Sequence, residues 1–195
     1  VDVLTTALYR WVDSPTYPSD FPFDVKTGGE AMRVTACTFW LRDSFTRTVA
    51  NGWGTPDTGS AWSTVGGGPA TDYNVGSGYG SQTLSTVDTS RRTAVTALHP
   101  DADLYCDITS SALATGDSLY GAATARMLDA NNMYMARCEF STSNTVLLSI
   151  RKAIAGVQTQ LGATYTVPVT HVAGQFIRLR FQLAGSTLRA KAWLA

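Results

Sequence analysis

The chain has 195 residues and a mass of 20.8 kDa, with 15 Lys+Arg balanced by 15 Asp+Glu. Hydrophobic residues make up 44% and charged residues 15%, which excludes a disordered charged tail and a non-specific nucleic-acid binder. Apolar runs such as residues 133–136 are far shorter than the roughly 20 residues a membrane-spanning helix needs, and the length fits about one domain plus an appendage.

The first residue is Val1 and no secretory leader follows it, so the chain is expected to be a piece of a longer protein or a processed product. Residues 11–24 are rich in Pro and aromatics. A Gly28-Gly29 turn between residues 23–26 and 32–36 predicts a β-hairpin too small to hold a core of its own. A boundary is expected near residue 42. Residues 1–42 are then a linker and hairpin from a preceding module, and residues 43–195 a two-sheet sandwich of about a dozen short strands.

The C-terminal third carries the clearest alternation. Tyr134, Ala136, Cys138 and Phe140 share one strand face. Ile177, Leu179, Phe181 and Leu183 share another, with Arg178, Arg180 and Gln182 pointing the opposite way. Leu188, Ala190, Ala192 and Leu194 alternate with Arg189, Lys191 and Trp193, and Gly185-Ser186 supplies a tight turn between these last two strands. A period of two marks strands with one buried and one wet face. No segment sustains a capped 3.6-residue pattern, so the fold class is all-β and antiparallel.

Three cysteines, Cys37, Cys106 and Cys138, form no CxxC pair, and the last two sit in apolar strand patterns where a thiol behaves as a small hydrophobe. Residues 1–117 hold 7 basic and 13 acidic side chains, and residues 118–195 hold 8 basic and 2 acidic. Two readings stand: interleaved strands let the halves neutralise each other, or an arginine-bearing sheet face stays exposed for anionic partners.

Motifs for chemistry are mostly absent. There is no GxSxG, HExxH, P-loop or dinucleotide fingerprint, and only His99 and His171 could serve a zinc site. Glu30 and Glu139 are the only glutamates, which argues against the paired carboxylates of a glycanase. Asp101, Asp103 and Asp107 share a face if extended, and a solvated strand entry explains them better than catalysis or calcium. No enzyme activity, metal or cofactor is expected.

The aromatic loop at residues 51–62 (NGWGTPDTGSAW) is the most unusual local sequence. Trp53 and Trp62 beside Asp57 offer the flat apolar platform and polar edge that sugar binding needs, or else plug the end of a sandwich. Tyr73 is open to the same two readings. Arg137, Arg178 and Arg180 complete the candidate ligand-binding residues, because a planar guanidinium holds phosphate or carboxylate bidentately.

Residues 43–62 (DSFTRTVANGWGTPDTGSAW) resemble the opening of concanavalin A-like (laminin-G-like) sandwich domains of actinobacteria and their phages. Residues 129–137 (DANNMYMAR) and 146–152 resemble the family's middle strands, and residues 176–181 and 188–193 its final hairpin. Residues 20–36 are similar to the end of a module that precedes such domains in minor tail proteins of actinobacterial siphophages. The resemblance implies a jelly-roll sandwich at a phage tail tip, assembled in the host cytoplasm and acting at the host surface. It implies binding of host cell-wall or capsular glycan and homo-oligomeric contacts with other tail-tip subunits, with no nucleic acid and no membrane insertion. A purely structural tail domain is the alternative, and a polysaccharide depolymerase a third reading. The family pattern fixes a fold rather than a ligand.

Overall fold

The structure is a computed structural model that describes the backbone of residues 23–27 and 30–34, and residues 40–96 and 99–195 in full. Among the described residues thirteen strands run in chain order: β1 Phe23–Thr27, β2 Glu30–Val34, β3 Ser63–Thr64, β4 Tyr73–Gly76, β5 Tyr79–Gln82, β6 Thr93–Ala94 and β7 Ala102–Ile108, then β8 Leu119–Asp129, β9 Asn132–Phe140, β10 Thr145–Ile154, β11 Val157–Thr170, β12 Ile177–Ala184 and β13 Thr187–Leu194. Among the described residues the only helical segment is a 3-10 turn at Ala70–Asp72. The all-β, antiparallel class read from the alternation is present.

The chain divides into two compact units, Val1–Val95 and Thr96–Ala195. The sequence placed its division at residue 42, and residues 1–22, 28–29 (the expected glycine turn) and 35–39 of that appendage lie outside the described residues. Its hairpin is there: β1 pairs antiparallel with β2, from Phe23 opposite Val34 to Thr27 opposite Glu30. The sandwich strands all fall in the second unit. Residues 43–95 contain no long alternating run, and turns and polar clusters organise them instead.

In the second unit, β11-β10-β9-β8 form a four-stranded sheet and β13-β12-β7 a three-stranded one, every pairing antiparallel. Ala136, Cys138, Phe140, Val146, Leu148 and Val167 from the first sheet meet Ile177, Leu179, Phe181, Leu183 and Ala192 from the second in one buried cluster. This is a two-sheet β-sandwich. Full burial of a side chain such as Phe181 or Ile177 stabilises by about 1.5–3 kcal/mol. The sheets approach closely at Gly121 on β8, where an added Cβ would stand 3.1 Å from Ile108 Cδ1 on β7.

Turn chemistry sets the registers. β10 and β11 are joined by Ala155-Gly156, with φ of 50° and 82°, the left-handed pair that a two-residue hairpin with the correct twist requires. Asn132 Oδ1 accepts from Ala155 N, and Asn131 O accepts from Gly156 N, which holds the non-glycine residue in place. In β8 the register breaks between Ala125 and Asp129, and Arg126 sits there with φ 48°. Its guanidinium donates to Pro100 O, Asp101 Oδ1 and Gly185 O, so a bulge in one sheet is fastened to the last hairpin of the other.

Among the described residues the first unit has three two-stranded pairs, β1-β2, β3-β6 and β4-β5, and two polar nodes. In one, the buried Asp43 carboxylate accepts from Arg47 (2.7 and 2.8 Å), Phe45 N (2.9 Å) and the Trp62 indole (2.6 Å). In the other, Arg91 Nε donates to Asp72 Oδ2 at 2.7 Å with both side chains almost fully buried.

Candidate functional site

The candidate residues fall in three places. Trp53, Trp62, Asp57 and Tyr73 belong to the first unit. Trp53 and Trp62 pack edge-to-face with centroids 5.1 Å apart, and both rings contact Phe45. Their indole N–H groups are engaged internally, Trp53 donating to Ser81 O and Trp62 to Asp43. A Cβ on Gly80 would stand 2.8 Å from the Trp53 ring, so a residue without a side chain is what lets β5 lie against it. The two tryptophans, both half-buried, form a small aromatic cluster with Phe45. Tyr73 is 1% exposed and its hydroxyl donates to Gly67 O at 2.7 Å, which makes it a core residue of this unit. Asp57 is exposed and its Oδ2 accepts from Ser44 N.

Burial pushes the Asp43 carboxyl up, but the hydrogen bonds from Arg47, Phe45 and Trp62 outweigh it and hold the group below the ordinary aspartate range. Sequence reading missed Asp43 as the hub of the aromatic loop. The spacing Asp43-x-Phe45-x-Arg47 was the available signal.

Arg178 and Arg180 lie on the outer face of the three-stranded sheet. Strand parity put them there, and the register supplies their neighbours: Arg178 lies opposite Asp107 and Trp193, Arg180 opposite Tyr105 and Lys191, and Gln182 opposite Asp103 and Arg189. Arg178 binds Asp107 through two hydrogen bonds of 2.7 Å. Arg180 binds Asp103 through two more, and Gln182 Nε2 donates to the same carboxylate at 2.9 Å. The Asp107 hydrogen bond raises the Arg178 pKa. Arg180 also lies 5.0 Å from the Tyr105 ring centroid, and Lys191 Nζ lies 5.3 Å from that of Trp193. The expected basic stripe is therefore a ladder of paired charges carrying aromatic rings. Asp103 and Asp107 come from the acidic half of the chain and Arg178 and Arg180 from the basic half, so the halves do neutralise each other at this face.

Arg137 lies on the outer face of the other sheet. Tyr120 and Glu139 face each other there, as do Arg137 and Ala122, Arg137 and Ser149, and Arg151 and Met135. The Arg137 guanidinium stacks on Tyr120 with Cζ 4.3 Å from the ring centroid. Glu139 Oε1 accepts from Ser118 Oγ at 2.9 Å. Sequence reading missed Arg151 and Ser149, because β10 reads as a nearly continuous apolar run.

Among the described residues no three side chains of His, Cys, Asp or Glu stand together as a metal site. Asp101, Asp103 and Asp107 are each engaged by an arginine. Cys106 and Cys138 are free thiols of the sandwich core, and burial pushes each up to about 12. Cys37 lies outside the described residues. His171 is buried against Phe140 with ring centroids 4.3 Å apart, and its Nε2 is 3.1 Å from Ser110 Oγ. Burial lowers its pKa. No helix of the described residues is long and apolar enough to cross a membrane. In comparisons with protein-family models, curated proteins and solved structures, nothing matches this chain.

Proposed function

We propose that the chain is a lectin-like module of a phage tail tip, a concanavalin A-like jelly roll that binds host cell-wall or capsular glycan at the host surface. The observation that carries this reading is the outer face of β7, β12 and β13. Tyr105, 55% exposed, and Trp193 lie on it among Asp103, Asp107, Arg178, Arg180 and Gln182. A sugar offers apolar C–H faces to an aromatic ring and hydroxyl edges to planar donors and acceptors. Bidentate Arg–Asp pairs hold those groups in place before a ligand arrives, so less side-chain entropy is lost on binding. The site stands on strands, which fix geometry better than loops. The resemblance of residues 43–62 and 129–137 to tail-associated sandwich domains supports the setting, the virion tail. Weak single sites suffice there, since several copies on one tail raise avidity by ~10²–10⁴.

A structural, self-assembling tail domain is the second reading. Leu128, 87% exposed, with Ile154 and Val157 beside the hydrogen-bonded turns of β8-β9 and β10-β11, favours it. Binding of the purified chain to envelope polysaccharide separates the two. On the lectin reading, Tyr105→Ala with Trp193→Ala weakens binding about tenfold or more, at the ~1.4 kcal/mol per decade scale of such contacts. Absence of binding to any envelope glycan, together with concentration-dependent assembly lost in Leu128→Asp, would replace it with the structural reading.

A further inference from the structure

The two outer faces treat their arginines differently. Among the described residues Arg47, Arg91, Arg126, Arg178 and Arg180 each bind an aspartate. Arg137 and Arg151, on β9 and β10, have no carboxylate among the described residues within ion-pair distance, although both are partly buried. The Nε of each is fully buried and has no hydrogen-bond partner. Ser149, 7% exposed, stands opposite Arg137 and two residues before Arg151, on the same face. Gln160 Oε1 lies 3.4 Å from Arg151 Nη1, a long contact for a charged donor.

We propose that Arg137 and Arg151, with Ser149 beside them and Tyr120 stacked on Arg137, form an oxyanion site on the outer face of the four-stranded sheet, taking a phosphate or carboxylate group.

Two like charges brought together and partly desolvated are unfavourable unless something negative joins them. The pKa of Arg137 shows that cost: burial lowers it first, Arg151 lowers it further, and Tyr120 and Glu139 oppose. Glu139 is the nearest acid in sequence, but its Oε1 is engaged by Ser118 and it makes no ion pair with Arg137. The Tyr120 ring covers one face of the Arg137 guanidinium and fixes its plane, leaving the edge to receive oxygens. Two planar forks on adjacent strands can each donate in pairs to one oxyanion, and a serine hydroxyl can supply a further bond. A mere positive patch would need neither the burial nor the stacked tyrosine. Met133, Met135 and Ala153 form a buried apolar cluster on the same face, next to Arg151. They lower the local polarity and strengthen the attraction of an anion. This site lies on the opposite sheet from the proposed sugar-binding face and would stand if the lectin reading failed.

The test is a nuclear magnetic resonance titration of the full 195-residue chain with inorganic phosphate and, separately, with glucuronate, ionic strength being held constant with sodium chloride. The arginine Nε–H signals and the amides of Arg137, Ser149 and Arg151 are followed. Saturable shifts with at least one anion are expected. Saturation by phosphate alone marks a tetrahedral ligand group, and saturation by glucuronate alone a carboxylate. Arg151→Gln and Arg137→Lys should each weaken the apparent affinity about tenfold or more, the second because an ammonium lacks the fork. Arg189→Gln with Lys191→Gln, on the other sheet, should leave it unchanged. Because Arg151→Gln also removes a like-charged neighbour, its unfolding midpoint in chloride should stay level or rise. Linear, unsaturable shifts with both anions would overturn the proposal. So would a lowered midpoint in Arg151→Gln combined with unaltered anion affinity, since Arg151 would then be a structural residue.

Discussion

Replacing Arg91 with methionine tests what holds the first unit together. The Arg91 and Asp72 side chains are 3% and 7% exposed, and Arg91 Nε to Asp72 Oδ2 is 2.7 Å. Ser85 closes the node, its hydroxyl 3.3 Å from Asp72 Oδ2 and 3.2 Å from Arg91 Nη2. Gly66, Gly67 and Gly68 run past it with φ of 77°, 84° and 77°, and a Cβ at Gly68 would collide with the Arg91 guanidinium. Arg91→Met keeps much of the packing volume but strands a buried carboxylate. Removing one partner of a buried pair costs about 3–5 kcal/mol, against ~0–1 kcal/mol for an exposed one. A domain of this size is stable by only about 5–15 kcal/mol, so the unit should become marginal.

Urea unfolding followed by tryptophan emission is the assay, because the half-buried Trp53 and Trp62 pack against each other in this unit. The transition they report should move to lower urea in Arg91→Met. Adding Asp72→Asn should recover part of the loss, since the uncompensated charge is then gone. A change in Arg91→Met smaller than about 1 kcal/mol would refute the reasoning, because the pair would be behaving as a solvent-exposed one.

Two further predictions concern the sandwich. The pKa of His171 is lowered by burial, so the unfolded state binds its proton first as pH falls. The contribution of the neutral ring to stability is complete above the unfolded value near 6.5 and shrinks below it; His171→Gln should flatten the stability-against-pH curve between about pH 7 and 5, measured by denaturant midpoints. Cys106 and Cys138, with thiols pushed up to about 12, should resist iodoacetamide at pH 8 in the native chain and react once urea unfolds it, as read by mass spectrometry.

The strands were legible wherever one face is buried and the other wet. In β12, Ile177, Leu179, Phe181 and Leu183 are all buried and the residues between them are not, as the period-two pattern requires. The same parity placed Asp103 with Asp107 and Arg178 with Arg180 on strand faces. It could not say that β7 lies beside β12, because that pairing joins residues about seventy positions apart and depends on how the whole sheet closes. Arg151 was hidden for another reason. The outer face of β10 also carries the apolar Leu147 and Ala153, so Ser149 and Arg151 between them read as interruptions in an apolar run. Trp53 and Trp62 were ambiguous because a ligand platform and an aromatic core call for the same residue types. In the structure their N–H groups are engaged internally while both rings stay half-buried.

The uneven charge of the chain acquires a spatial meaning from these pairings. Asp101, Asp103 and Asp107, from the acidic half, engage Arg126, Arg180 and Arg178 from the basic half. Each such contact joins β7 or its entry to a distant strand, so the charge asymmetry helps to select which strands become neighbours. Among the described residues, the basic side chains of the sandwich without an acidic partner differ in environment. Arg189 and Lys191 stand on β13 at a sheet edge, where salt of physiological strength screens them within about 8 Å. Arg137 and Arg151 are partly withdrawn from water on inner strands of the other sheet, where screening is weaker and the energetic demand for a counter-charge is larger. An acidic polymer attracted by the edge would leave as salt rises, whereas an oxyanion seated between the two inner arginines would be retained to higher salt. The salt dependence of each anion-binding step therefore discriminates the two faces without any structure of a complex.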